Sequence, residues 1–310
     1  MYNQGMRVLS LLASSTEIVA ALGFESHLVG RSHECDFPES VLKLPVVTEP
    51  KFPTDGTSYQ INERLLAILQ EGLSVYRVHA DRLAELAPDL IITQTQCKVC
   101  AVSQEDVEAA VHTLVGSFPK ILSLEPNTLD DIFFGIRKIA EELDCGATGE
   151  MLIGSMKSKM AAVTDKAMGS NTRPRVACIE WMDPLMVSGN WMPSLVEMAG
   201  GEHLFGIAGK HSPKLEWDTL LEADPDVLLI SPCGFTIEQT MADITAITSR
   251  KDYQGLTAVR ENRVYVADGN QYFNRPGPRI VESLYILAEI LHPHGFFYGF
   301  EGKGWRKLES

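Results

Sequence analysis

Twice in this chain a short helical stretch runs through a Pro-Asp turn into an apolar strand that ends on a cysteine. The first copy is DRLAELAPDLIITQTQC, Asp81 to Cys97, and the second is DTLLEADPDVLLISPC, Asp218 to Cys233. With Pro88 and Pro225 aligned, Cys233 stands opposite Gln96, one residue short of Cys97. A strand that is apolar along its whole length is buried on both faces, which is the condition of a parallel sheet covered by helices. Parallel neighbours need crossover connections, so the repeated unit dictates an α/β fold.

The rest of the chain keeps to that plan. Val, Ile and Leu density beside Gly and Pro breaks predicts strands over Arg7–Leu12, His27–Arg31, Ser74–Val78, Asp89–Thr93 and Lys120–Ser123. A second set follows over Arg175–Trp181, Asp226–Ser231 and Arg263–Ala267. Between the sets, TLDDIFFGIRKIAEEL opens with Thr128 and Asp131 in capping-box spacing. EMLIGSMKSKMAAVTDKA then places Leu152, Met156, Met160 and Val163 at helical spacing. About 20 residues at 1.5 Å each give a rod of roughly 30 Å, long enough to join two lobes. With 310 residues, the chain exceeds one ordinary core. The expected organisation is an N-terminal α/β lobe over 1–126, a helical connection over 127–170 and a C-terminal α/β lobe over 171–310.

A net charge of −14 speaks against a nucleic-acid partner, which would require clustered Lys and Arg. No apolar run reaches the roughly 18–20 residues of a membrane span, so no membrane insertion is expected. In MYNQGMRVLSLLASSTEIVAALG the apolar run is short, is interrupted by Glu17 and lacks a small-residue cleavage site. It reads as a first strand followed by a helix capped near Ser14 or Ser15, and the expected location is the cytoplasm. The alternative is a periplasmic or extracellular protein whose signal has been removed.

Six cysteines in a chain of this size are not a disulfide scaffold. Cys35, Cys97, Cys100 and Cys233 all fall just beyond the carboxyl ends of expected strands, the edge at which open α/β sheets bind ligands. Cys145 lies in the turn between lobes, and Cys178 sits within a strand as a small buried apolar residue. Cys97 and Cys100 have zinc-knuckle spacing, and Cys35, His33 or Cys233 would complete a tetrahedron for Zn or Fe. They also precede SQED, where Ser103 and Asp106 resemble a helix cap, a setting that lowers thiol pKa. A redox pair and inert loop thiols stay open beside coordination. The same thiols, with His33 and Glu34 beside Cys35 as acid–base groups, would serve a Cys-dependent enzyme.

Large aromatics mark the later strand ends. Trp181 and Trp191 flank the loop after one strand, and Tyr272 and Phe273 stand in the loop after another, with Asn274 and Arg275 as a polar rim. Such groups suit a large flat ligand by stacking and by apolar area. No nucleophile elbow, phosphate loop or GxGxxG follows any strand.

RVLSLLASSTEIVAALG, HLVGRSHECDFP, LAPDLIITQ, TLDDIFFGIRKIAEEL and NRPGPRIVESLYILAEILHP occur in this order over residues 7 to 293. Together they resemble the helical-backbone (class III) substrate-binding proteins of ABC importers, which serve cobalamin, haem and iron–siderophore complexes; the likeness is greatest to the vitamin B12-binding members. The resemblance implies two Rossmann-like lobes with parallel sheets, one long interlobe helix and a ligand cleft between the lobes. It implies a binding protein rather than an enzyme, a cobalamin or related corrinoid as ligand, and an ABC permease as partner. By motif position Ser14, Ser15, Thr16, His33, Glu34, Phe37, Gln94 and Gln96 would line the first lobe. Trp181, Trp191, Phe235, Tyr272, Phe273, Asn274 and Arg275 would line the second. A cytoplasmic relative would carry or sense a corrinoid, a haem or a metal, with Cys35, Cys97, Cys100 and Cys233 as soft ligands.

Overall fold

The Pro-Asp turns of the repeat do the same work in both copies. A short helix, Ala80–Leu86 or Trp217–Ala223, ends on a left-handed residue, Ala87 (φ 36°) or Asp224 (φ 42°), and the proline forbids another turn. The aspartate after it then takes an N–H of the neighbouring strand. Asp89 Oδ2 accepts from Arg7 N at 2.8 Å, and Asp226 Oδ2 accepts from Arg175 N at 2.7 Å. The arginines return the contact, Arg7 Nε donating to Leu86 O (3.0 Å) and Arg175 to Ala223 O (2.6 Å). One device thus sets strand register twice.

The computed structural model describes residues 5–71, 75–94, 104–111, 119–170 and 172–309. It is an α/β structure in two compact units: Met1–Asp55, Glu63–Pro126 and Asp130–Ser155 form the first, and Gly56–Asn62, Asn127–Leu129 and Met156–Ser310 the second.

The first unit contains strands β1 (Val8–Ser10), β2 (Leu28–Arg31), β3 (Thr48–Pro50), β4 (Tyr76–Val78), β5 (Leu90–Gln94) and β6 (Lys120–Leu124). Its main sheet is parallel, ordered β2-β1-β5-β6, with Val8 opposite both Leu28 and Leu90. All five residues of β5 are buried, as a central strand between helical layers requires. Leu9, Leu11, Val47, Val75, Leu83, Ile91 and Val107 pack on one side of that sheet.

The second unit contains β7 (Arg175–Trp181), β8 (Met186–Val187), β9 (Glu202–His203), β10 (Val227–Ile230), β11 (Val264–Ala267) and β12 (Trp305–Lys307). Its sheet runs β12-β11-β10-β7-β8, with β9 also on β7. β7, β10 and β11 are parallel, whereas β12 and β8 are antiparallel edges.

Several expectations are corrected. The segment expected as a strand over Ser74–Val78 is not part of a parallel sheet; Tyr76–Val78 pairs antiparallel with Thr48–Pro50 in a separate ribbon. β3, β8, β9 and β12 escaped prediction because two or three residues carry too little apolar alternation to read. The first helix, α1 (Ala13–Ala21), is not capped by a serine: Leu12 holds the N-cap position with no side-chain bond.

The connecting helices are α2 (Ser58–Gln70), α3 (Ala80–Leu86), α4 (Gln104–Val111), α5 (Leu129–Glu142) and α6 (Gly146–Met168). α6 is 23 residues long, and its residues up to Ser155 belong to the first unit and those from Met156 to the second. Ile153, Met156, Met160, Val163 and Ala167 form its buried stripe, so Met156 and Met160 are core residues, whereas Met151 and Met168 are exposed. No helix among the described residues is long and apolar enough to cross a membrane.

Candidate functional site

In both units the parallel strands end in loops that carry the polar and aromatic side chains singled out in the sequence. In the first unit the β1–α1 loop is closed on itself. Ser15 and Thr16 are fully buried and Ser14 nearly so. Ser10 and Ser15 hydroxyls lie 2.7 Å apart, and Thr16 Oγ1 is 2.8 Å from Ser10 Oγ, 3.0 Å from Leu12 O and 3.1 Å from Cys35 Sγ. Ser15 Oγ also reaches Leu12 O at 3.1 Å. These hydroxyls tie the first turn of α1 to the β2 loop and leave Cys35 fully buried beneath them.

The β2 loop is held from below by Arg31, which donates to the carbonyls of Ser32 (3.1 Å) and Cys35 (3.0 Å). His33 is anchored twice on Thr48 Oγ1, through its backbone N–H at 3.1 Å and ring Nδ1 at 2.8 Å. Its ring lies 5.4 Å from that of Tyr76, whose hydroxyl donates to Glu34 Oε1 at 3.4 Å. Burial, with Arg31 nearby, holds the His33 imidazole below its usual pKa, although the Glu49 carboxylate opposes the shift. Phe37 is exposed at 44%. Gln94 ends β5 as a buried residue, whereas Gln96, Cys97, Cys100 and the expected cap at Ser103 lie outside the described residues.

In the second unit Trp181 closes β7 and meets Phe235 of the β10 loop edge to face, with ring centroids 5.3 Å apart. Its indole N–H donates to Asp183 O at 3.1 Å, which fixes the ring. Trp191 is turned inward: it is 5% exposed, and its indole N–H donates to Phe273 O at 3.0 Å. Phe273 is itself a core residue at 1% exposure. Asn274 donates to Ser231 O (3.2 Å) and Gly269 O (3.0 Å), joining the β10 and β11 loops. The β11 loop is one π-helical turn, Gly269–Phe273, capped by Asp268, which accepts from Asn270 N and Gln271 N. Burial raises the Asp268 carboxyl. Buried Arg275 donates to Asn270 Oδ1 at 3.0 Å; buried Arg279 donates to Gln271 Oε1 at 3.2 Å and lies over the Tyr272 ring at 5.5 Å.

The thiols are dispersed. Cys233 is exposed on the β10 loop, its N–H donating to Glu180 O at 3.0 Å, while Cys145 and Cys178 are buried and burial pushes both thiols up. Among the described residues no group of three or more His, Cys, Asp or Glu is arranged to hold a metal ion.

One charged residue escaped the sequence reading. Glu180, partly buried near the end of β7, has its carboxyl pushed up to about 7 by loss of solvent, against hydrogen bonds from Ser212 and Ser188. The signal was a single charge inside the apolar strand RVACIEW.

Parallel strands whose carboxyl-end loops carry fixed aromatics place the candidate ligand edge of an α/β protein. The sequence profile of the family described as "Periplasmic binding protein" matches residues 8–270, and the chain belongs to that family. Its fold is that of the class III substrate-binding proteins of ABC importers. An uncharacterized ABC transporter substrate-binding lipoprotein, YvrC of Bacillus subtilis, is 22% identical over 295 residues, covering 94% of this chain and 81% of the relative. A vitamin B12-binding protein of Vibrio parahaemolyticus is 23% identical over 287 residues, 91% of this chain and 88% of the relative. Among solved structures, the periplasmic heme-binding protein RhuT of Roseiflexus sp. RS-1 superposes with a TM-score of 0.69 at 22% identity, covering 93% of this chain and 98% of RhuT. The periplasmic vitamin B12-binding protein BtuF of Vibrio cholerae gives a TM-score of 0.66 at 19% identity, with 92% and 96% covered. Three of these relatives overturn the cytoplasmic expectation: YvrC is named a lipoprotein, RhuT and BtuF are named periplasmic, and an N-terminus without a legible signal carries no weight against that.

Proposed function

We propose that the protein is the binding component of an ABC-type importer, working outside the cytoplasm and delivering a large metal chelate to a permease. The ligand is a macrocycle of the cobalamin or haem kind, or a metal–siderophore complex, met by loops at the carboxyl ends of the parallel strands. Trp181 carries this reading, because a partly exposed indole held edge to face on buried Phe235 beside a strand end offers a flat ligand apolar area at little entropic cost. Exposed Phe37 and partly exposed Tyr272 supply like surface on the other loops. Relatives named for vitamin B12 and for heme support the same ligand class.

Titrating the purified protein with cyanocobalamin and with hemin, followed by visible spectra and calorimetry, tests the reading; no heat and no spectral change with either removes it. Trp181→Ala should weaken binding of the chelate that does bind by roughly tenfold, the equivalent of about 1.4 kcal/mol. An unchanged Kd would take Trp181 out of the site.

A second reading, a thiol-ligated metal ion or iron–sulfur centre, is favoured by the exposure of Cys233 at the same edge. It predicts stoichiometric Zn or Fe after anaerobic purification, lost in Cys233→Ser. Metal-free protein with titratable thiols decides against it.

A further inference from the structure

The orphaned side-chain polar atoms sealed from solvent among the described residues belong to Arg31, Ser58, Ser123, His203 and Ser231. Tyr253 differs from all of these. It is 5% exposed, and its hydroxyl bonds no group among the described residues, yet its oxygen is not sealed. The open space that Tyr253 lines is a cavity of about 250 Å³ in the second unit. Val264, the first residue of β11, gives it an apolar wall together with Val259 and Leu308. The tyrosine is pinned by its backbone: its N–H donates to Arg250 O at 3.2 Å, and its carbonyl accepts from Leu256 N at 3.1 Å. The candidate chelate edge lies at the other end of β11, four residues along the strand, or roughly 10 Å away.

A buried tyrosine hydroxyl ordinarily finds a partner, because leaving it unbonded in apolar surroundings costs free energy. No side chain of this unit supplies one here, so the hydroxyl is an anchor facing open space. Burial raises the phenol above its usual pKa, so it stays neutral and can both donate and accept. An apolar cavity of about 150 Å³ holds benzene. The larger volume here leaves room for a ring and one polar substituent. Glu309 is the charged residue of the lining, which carries no Lys or Arg among the described residues, so an anion is disfavoured.

We propose that this cavity is a second binding site, for a small uncharged ring compound with one hydroxyl or carbonyl group, its ring against Val259, Val264 and Leu308 and its polar group bonded to Tyr253. The site is independent of the chelate reading.

Phenol, toluene and benzoate test it, since they join one ring to a hydroxyl, a methyl group and a carboxylate. Titrated into the purified full chain and followed by ligand-observed NMR, phenol should bind roughly fivefold tighter than toluene, the worth of one hydrogen bond, and benzoate should bind weakest. Tyr253→Phe keeps the ring and should bring phenol down to the toluene affinity while leaving toluene unchanged. Thr248 lines the cavity from the end of the short helix Thr245–Thr248, so Thr248→Phe should fill the space and abolish binding of both. Phenol that binds no tighter than toluene, an unchanged phenol affinity in Tyr253→Phe, or binding that survives Thr248→Phe overturns the proposal. So does an absence of phenol binding up to about 10 mM. None of these results bears on the chelate reading, which is tested at Trp181.

Discussion

Replacing Glu289 by Ala should cost roughly 3 kcal/mol and loosen the whole C-terminal segment, because one buried carboxylate organises it. Glu289 lies on the helix Ile280–Leu291 and is 5% exposed. It accepts the backbone N–H of Tyr298, that of Gly299 at 2.7 Å, that of Phe300 at 3.3 Å and the indole N–H of Trp305 at 2.8 Å. Gly299, at φ 85°, permits the turn that aims these consecutive amides at one point. Around this nest Tyr298 stacks on Tyr285 at 4.0 Å, and Trp305 leads β12 onto the edge of β11, Ala267 opposite Trp305. Alanine would strand the Trp305 indole and the inner amides without an acceptor. Glutamine should cost less, since its oxygen can still serve the Tyr298 and Gly299 amides while its NH2 opposes the others. Urea midpoints followed by tryptophan fluorescence measure both, and faster hydrogen exchange at Arg306 and Lys307 would report release of β12. An unchanged midpoint in Glu289→Ala would show that the nest holds nothing.

That nest explains a stretch the sequence left without an account. HPHGFFYGFEGKGW has no period and no motif, because what orders it is a glutamate on a helix, nine to sixteen residues before the groups it holds. The parallel strands were legible for the opposite reason: β5, β7 and β10 advertise themselves through unbroken apolar runs, and their boundaries through Pro88, Asp89, Pro225 and Asp226. The candidate site was legible only by region. Residue type placed aromatics and hydroxyls at strand ends, yet type cannot tell a side chain that faces out from one that is spent inside. Thr16 goes to Ser10, Leu12 and Cys35; Trp191 goes to Phe273; Phe37 and Cys233 remain exposed. Glu180 was invisible because a lone charge in an apolar strand reads as noise until its bulge, between the pairs Ile179–Val187 and Trp181–Met186, is seen.

Glu180 should also write itself into the pH dependence of stability. Its carboxyl titrates at about 7 in the folded protein against an ordinary value of 4.5, raised by burial. Between those values the unfolded chain has given up the proton and the folded chain keeps it. The folded state therefore binds more protons, and stability must fall as pH rises. The loss begins near pH 4.5, runs at about 1.4 kcal/mol per pH unit and levels off above pH 7, about 3 kcal/mol in all. Glu180→Gln cannot ionise and keeps the shape, so the difference between the two proteins isolates this group while every other titration cancels. Urea unfolding from pH 4.5 to 8.5 should find variant and wild type alike at the acid end and the variant more stable by up to about 3 kcal/mol at the alkaline end. A difference that is flat across the range would mean that the carboxyl keeps enough water to ionise normally, and the buried bulge would then carry no stored cost.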